Sequence, residues 1–410
     1  MSASGYAAVT VERLGHLGDG LTAEGLPVAM ALPGEEVEGE IVEGRMSDPK
    51  VLRPSPDRVR APCPHYRACG GCGLMHASDS FVAGWKVDVV RRALAAQGLS
   101  AGFRPIVTSP PRSRRRAVLS GRRTKTGALV GFHARASDTL VEIPHCLLLR
   151  PELVEALPSL RAAVVLGGSR KGEITLTLTL TDGGLDVDAR GGKPADGPMR
   201  AELAALAGRA GWARLAWDGD EIAVYRPPAV RFGTASVALP PGAFLQATAE
   251  GEAALVAAVT DAVGAARRVA DLFAGAGTFA LPLAAVAEVH AAEGDDAMVA
   301  ALGQAARGAA GLHRVTAETR DLFRRPLLRD ELARFDAVVI DPPRAGCEAQ
   351  TREIAASGVP VIAAVSCNPV TFARDARILS EGGYRLDWVQ VVDQFRWSPH
   401  VELVARLTKP

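Results

Sequence analysis

VPVIAAVSCNPVTFARDARILSEG, residues 359–382, holds a strand, a corner and a helix in one unbroken run. The apolar stretch to Val365 has the length and composition of a strand buried on both faces. Asn368 and Pro369 end it and open a helix near Pro369 or Thr371, leaving Cys367 at the strand's carboxyl end. The same rhythm surrounds this unit from about residue 236. RRVADLFAG, TFALPLAAVA, EVHAAE, DDAMVAALGQAARGA, HRVTAETRDL, FDAVVIDPP and CEAQTREIAAS precede it; YRLDWVQVVDQF and HVELVARLT follow. Strand and helix in alternation mean an open, parallel, doubly wound α/β sheet. The last two strands have no helix between them, so they are expected to form a terminal antiparallel hairpin.

Ligands of such sheets sit beyond the carboxyl ends of the strands, and chemistry-bearing residues gather there. DLFAGAGTF, 271–279, places Gly275 and Gly277 in a strand-to-helix turn where a ligand can approach the backbone. A dinucleotide site or a purely structural turn would read the same way. Glu293, ending the next strand, is placed to hold ribose hydroxyls, and Asp321 in AETRDLF lies beside the expected adenine position. Each alone could be a helix cap or a surface charge; together they outline a nucleoside-shaped crevice. In VVIDPPRAG, 338–346, two prolines fix the backbone after Asp341 and hold its carboxylate at the crevice edge. Cys367 faces the start of its own helix, whose dipole favours thiolate, although a lone cysteine is more commonly a small buried hydrophobe. Glu402, in SPHVELVARL, is either an exposed residue of the alternate strand face or a desolvated base with a raised pKa. Cys347 is read as a bystander.

Upstream the text changes character. Residues 1–55 read as short strands split by turns, YAAVTVERL, LPVAMALP, EEVEGEIVEG and KVLRP, as in a small oligonucleotide-binding barrel. Residues 56–235 include EITLTLTLT, DGG and LDVDA, a hairpin in a mostly antiparallel sheet. CPHYRACGGC sets Cys63, Cys69 and Cys72 close together, with Cys146 far downstream in EIPHCLLL. Four soft ligands in a three-plus-one spacing suit a 4Fe-4S cluster better than zinc, which more often takes two close pairs. His65, His76 and His145 are expected to be neighbours and not ligands. RSRRRAVLSGRRTK, 112–125, is either a phosphate-contacting stripe or a solvated strand face. Because the formal net charge over 410 residues is only +1, affinity for a polyanion must come from such local clustering. No apolar run is long enough to span a membrane and no secretory signal is visible, so a cytoplasmic, membrane-free protein is expected.

With SCNPVTFARD, DPPRAG, HVELV and the four-cysteine pattern assembled, the chain resembles the RNA uridine-5 methyltransferases, in particular their iron-sulfur 23S ribosomal RNA branch, from residue 1 to 410. The resemblance implies a seven-stranded Rossmann-like methyltransferase domain at 236–410, an OB-like TRAM barrel at 1–55 and a central α+β iron-sulfur domain at 56–235. It implies S-adenosylmethionine held by Gln246 of FLQAT, Phe273, Thr278, Glu293, Asp321 and Asp341. It also gives Cys367 as nucleophile, Glu402 as base, and Cys63, Cys69, Cys72 and Cys146 as cluster ligands. Thr278 departs from the family's usual asparagine, and the helix after Glu293 lacks the usual asparagines. The expected partner is RNA, with 23S rRNA favoured over tRNA by the cluster cysteines, and the expected state is a monomer. A non-enzymatic iron-sulfur RNA-binding or assembly factor is the competing class.

Overall fold

The computed structural model describes residues 5–409. Strand Val361–Ser366 is followed by helix Pro369–Glu381, as the opening stretch predicts. Pro369 occupies the first helical turn, the Asn368 side chain accepts the Val370 amide, and Phe372, Ala373, Ala376 and Leu379 form the buried face. Around this unit the strands order as 315–319, 288–293, 268–272, 337–340, 361–366, 403–408 and 385–393. The first five run parallel; Leu403–Thr408 is antiparallel to both of its neighbours, which gives the expected terminal hairpin.

Among the described residues the sheet has nine strands and not seven. The two extra strands, Gly102–Phe103 and Val107–Thr108, come from the middle of the chain and add to the outer edge of Arg385–Asp393. Helix Asp79–Ala96 precedes them and buries Val90 and Leu94 in the same core as Phe372, Leu379 and Val389. Helix Ala249–Val263 covers the opposite face through Leu255, Val259 and Ala262. TFALPLAAVA contributes only a one-turn helix, Ala280–Leu283.

The middle region carries a second sheet whose strands are antiparallel except for one parallel pair, Gly184–Arg190 with Arg214–Trp217. Its hairpin Glu173–Thr181 and Gly184–Arg190 falls where the alternation placed it. The basic stripe lies along its strand Arg116–Arg123, and much of it is spent internally. Arg115 pairs with Glu252, Arg122 with Glu173, and Arg116 donates to the Ala243 and Gly242 carbonyls. Arg112 and Lys125 are the exposed ends, so the stripe is chiefly a set of cross-links and not a free phosphate-binding face. In the N-terminal sheet, strand Gly5–Thr10 pairs with Glu36–Val42 over a small core of Val11, Val28, Val37 and Met46. Among the described residues no helix is long and apolar enough to cross a membrane.

Candidate active site

Cys367 and Glu402 lie just beyond the end of one ladder. The antiparallel pairing runs from Val361 opposite Thr408 to Ser366 opposite Leu403, Cys367 directly follows and Glu402 directly precedes that last pair, and the two are near enough for the Glu402 carboxyl to raise the Cys367 thiol. Both lie at the carboxyl edge of the parallel strands, beside Asp341. Each acidic group is taken out of water and feels the others. Burial, then the Glu402 and Asp341 carboxyls, push the Cys367 thiol up to about 11, against a weaker pull from Arg344. The thiolate expected from the helix dipole is therefore not what the resting site holds. The dipole is present, but its first free amide is capped by Asn368, and burial of the thiol sets the sign, with the Glu402 and Asp341 carboxyls adding to it.

Glu402 is 4% exposed, and burial followed by Asp341 raises it to about 8, while a hydrogen bond from Gln394 opposes the rise. Burial lifts Asp341 to about 7. Asp271, fully buried at the head of the glycine turn, is raised well above the carboxylate range by burial and then by Asp341. Neither of its carboxylate oxygens has a hydrogen-bond partner among the described residues; the Ala280 amide faces it too loosely to make one. Asp271, Asp341 and Glu402 are thus buried, mutually coupled carboxyls in which burial favours the protonated form.

Gln394 joins the two halves of the site. Its Nε2 donates to Gln246 Oε1 at 2.5 Å and to Glu402 Oε2 at 3.2 Å, and its Oε1 accepts the Ala247 amide at 2.8 Å. Asn368 ties the other side together, because its Nδ2 donates to the Arg344 carbonyl at 2.8 Å and so fastens the Asp-Pro-Pro loop to the start of the cysteine's helix. The Arg344 guanidinium in turn donates to His400 Nδ1 at 3.1 Å.

The glycine turn is shaped for close approach. Phe273, Gly275 and Gly277 all have positive φ, 62°, 54° and 100°, and a Cβ on Gly277 would stand 2.9 Å from Leu281. Glu293 braces this turn: Oε2 accepts the Gly275 amide at 2.9 Å and Oε1 accepts Gly294 and Asp295. Thr278 is half-buried on the same turn. Asp321 is exposed and caps the Phe323 and Arg324 amides at 3.0 and 3.3 Å, so its carboxylate is partly committed to its own turn. Phe323, half exposed, stands 5.4 Å from Phe273. Gln394, Asp271, Phe323 and Arg344 were not singled out from sequence. Asp271 heads the glycine turn and could have been found there, whereas Gln394 carries no local signal.

Four of the remaining cysteines surround one cavity. Cys63, Cys69, Cys72 and Cys146 line it with Tyr66, Phe132 and Leu148, and all four are free thiols. Burial raises Cys69, Cys72 and Cys146, Cys72 to about 12, and mutual repulsion adds to each. Among the described residues no group of three or more His, Cys, Asp or Glu stands as a ready site for a metal ion. His65 and His145 stack at 6.0 Å beside the cavity, and His76 is bonded to the Tyr66 hydroxyl.

Comparison with known proteins adds descent to this geometry. The sequence profile of the tRNA (uracil-5-)-methyltransferase family matches residues 236–409. An uncharacterized RNA methyltransferase of Caulobacter vibrioides is 47% identical over 98% of this chain and 99% of its own. The 23S rRNA (uracil(1939)-C(5))-methyltransferase of Chromohalobacter salexigens is 33% identical over 98% of this chain and 89% of its own. The solved tRNA (uracil-54, C5)-methyltransferase of Pyrococcus abyssi, in complex with S-adenosyl-L-homocysteine, shares the fold over 98% of this chain, with a TM-score of 0.76 at 23% identity. The likeness to the Caulobacter and Chromohalobacter proteins spans nearly the entire chain, and the chain belongs to the S-adenosylmethionine-dependent RNA (uracil-5)-methyltransferase family.

Proposed function

We propose that this chain makes 5-methyluridine in 23S ribosomal RNA, with Cys367 as nucleophile and Glu402 as base. The observation that carries the reading is that Cys367 and Glu402 lie just past the ladder's last pair, Ser366 and Leu403, and are both electrostatically coupled to Asp341. Carbon 5 of uracil is a weak nucleophile. When Cys367 gives up its proton to solvent and its sulfur bonds to carbon 6, the electron pair of the 5,6 double bond is released to carbon 5 and the adjoining carbonyl. S-adenosylmethionine, when bound, supplies the electrophilic methyl group that carbon 5 takes. Glu402 then removes the carbon 5 proton, the double bond re-forms, and the Cys367 sulfur leaves carbon 6. Proton transfer of this kind commonly contributes ~10²- to 10⁴-fold. The uridine must first leave its stack to enter the crevice, at a cost of a few kcal/mol.

The residues fit the methyl donor. Asp271, with both oxygens unpartnered, is an orphaned carboxyl that a cationic ligand would satisfy. Gln246, Phe273, Thr278, Glu293, Asp321 and Asp341 are assigned to hold it. The four crowded thiols likewise fit a 4Fe-4S cluster: Cys63, Cys69, Cys72 and Cys146 would bind as thiolates, relieving their mutual repulsion and cross-linking two distant segments. In this reading residues 1–55 are a TRAM-like RNA-binding barrel, 56–235 the cluster-bearing region and 236–410 the methyltransferase unit, working in the cytoplasm. The interval 79–108 is then lodged on the methyltransferase sheet.

The test is to offer 23S rRNA fragments and tRNA transcripts with methyl-labelled donor and map the modified base. Label in a 23S uridine, a denaturation-resistant RNA adduct with Glu402→Gln, and no transfer with Cys367→Ala are the expected results. Methyl transfer by Cys367→Ala would overturn the mechanism, and label confined to tRNA would overturn the substrate.

A further inference from the structure

The segment that delivers Glu402, residues 393–402, is held at several points by parts of the chain that precede residue 110. Lys86, wholly buried, donates to Asp393 Oδ1 at 2.5 Å and to the Phe395 carbonyl at 3.1 Å. Arg396 reaches Ser109 and Asp79. At the apex, the Trp397 carbonyl accepts two amides, Gly73 at 2.8 Å and Leu74 at 2.9 Å, from the residues that directly follow Cys72. The Trp397 ring, 6% exposed, packs with Tyr66, Met75 and Leu148 into a small core on which Cys63, Cys72 and Cys146 rest.

Trp397 does this at φ 60°, a left-handed conformation that a bulky side chain avoids unless its surroundings over-determine it. The proposed reaction gives Trp397 no role, and a surface hairpin needs no tryptophan turned inward at its apex. We propose that Trp397 is a positioning residue for Glu402: it registers the base-bearing segment on the cysteine pocket, so that the shape of that pocket sets where the base stands. From Trp397 the segment passes through Ser398, Pro399, His400 and Val401 to Glu402, whose carboxyl is then fixed by Gln394. A misplacement of about 1 Å can cost ~100-fold in a catalytic step. The step sensitive to this placement is release of the methylated base from Cys367 and not capture of the methyl donor.

This inference rests on the reading of Glu402 as the base, and the experiment separates the two. Trp397→Gly accepts the left-handed backbone but lacks the ring; Trp397→Phe keeps a ring. For Trp397→Gly the expected results are a loss of about tenfold or more in product release, seen as accumulating RNA adduct, S-adenosylhomocysteine affinity within about twofold, and about tenfold faster hydrogen exchange in the 393–402 peptide. Trp397→Phe restores release in large part. Cys72→Ser, which alters the pocket without substituting any residue of the hairpin, raises exchange in the same peptide. Native release and unchanged exchange in Trp397→Gly, while Glu402→Gln still traps adduct, would overturn the positioning role and leave the base reading intact. Absence of trapped adduct with Glu402→Gln would overturn the base reading itself. If Trp397→Gly fails to fold, the Cys72→Ser exchange decides, and an unchanged 393–402 peptide counts against the proposal.

Discussion

Cys367, Glu402, Asp341 and Asp271 share a protonation problem that the resting protein solves by keeping protons. Asp341 at about 7 and Glu402 at about 8 are substantially protonated at neutral pH, and Cys367 at about 11 is a thiol. A bound sulfonium favours the ionised carboxylates, so binding must expel protons. Affinity for a cation therefore rises with pH until the free protein's own carboxyls are ionised, which places the window between about pH 6 and about pH 8.5. We expect S-adenosylmethionine to bind more tightly across that window, and S-adenosylhomocysteine, which lacks the sulfonium charge, to gain less. Calorimetry at several pH values in buffers of different ionisation enthalpy measures both the affinity and the protons released; flat affinity with no proton release would contradict the assignment. At this scale the sequence was informative about place and poor about charge. The strand ends that carry Cys367, Asp341 and Glu293 follow from periodicity alone. The ionisation of Cys367 does not, because the burial that raises it most, and the Glu402 and Asp341 carboxyls that add to the rise, both come from packing with segments tens of residues away. Gln394 was invisible for the same reason: it matters through Gln246, 148 positions away.

Helix Asp79–Ala96 shows the limit at the scale of elements. Its sequence, DSFVAGWKVDVVRRALAA, has a capping Ser78 before it and an apolar face within it, so its existence is legible. Its destination is not, because nothing local says that Lys86 on that face will meet Asp393, 307 residues later. The pair is 0% and 2% exposed, and such pairs contribute more to register than to net stability, since desolvation of both charges offsets their attraction. Breaking one side is another matter. Lys86→Met leaves Asp393 buried without its counter-charge, and a loss of ~3–5 kcal/mol in unfolding free energy is expected. Lys86→Met with Asp393→Asn should recover much of it. Urea unfolding of the two variants checks both figures, and a single variant as stable as the parent would show that the pair is not needed to hold the segment. The nine-stranded sheet has the same origin, because Gly102–Phe103 and Val107–Thr108 are two-residue strands with no periodic signature, and only the exposed edge of Arg385–Asp393 makes them strands.

At the scale of the whole molecule, the regions converge on one cleft of about 510 Å³. Arg45 enters it from the N-terminal sheet, Arg114 and Arg116 from the middle sheet, Arg135 from the loop beyond, and Ser398, Pro399 and His400 from the segment that carries Glu402. A chain with a net charge of only +1 thus concentrates cationic side chains where the N-terminal sheet, the cysteine region and the segment leading to Glu402 meet. The basic stripe located only half of this set: Arg114 and Arg116 belong to it, Arg45 and Arg135 lie outside it, and others of its members, such as Arg115 and Arg122, are consumed by internal partners. Arg45 and Arg135 both lean on Asp19, at 3.0 and 3.5 Å, with side chains 38% and 32% exposed, so a phosphate can compete for them at modest cost. Each phosphate contact to single-stranded RNA contributes about −0.7 to the slope of log affinity against log salt. Arg45→Ala and Arg135→Ala should each weaken binding of a 23S fragment, with little dependence on its sequence, and flatten that slope by about 0.7. Asp19→Asn should act in the opposite sense by freeing both guanidinium groups. Fluorescence anisotropy from about 50 to about 200 mM salt measures the slopes. If the arginine variants keep the parental slope, the RNA does not run through this cleft, and the target uridine must reach Cys367 from another side.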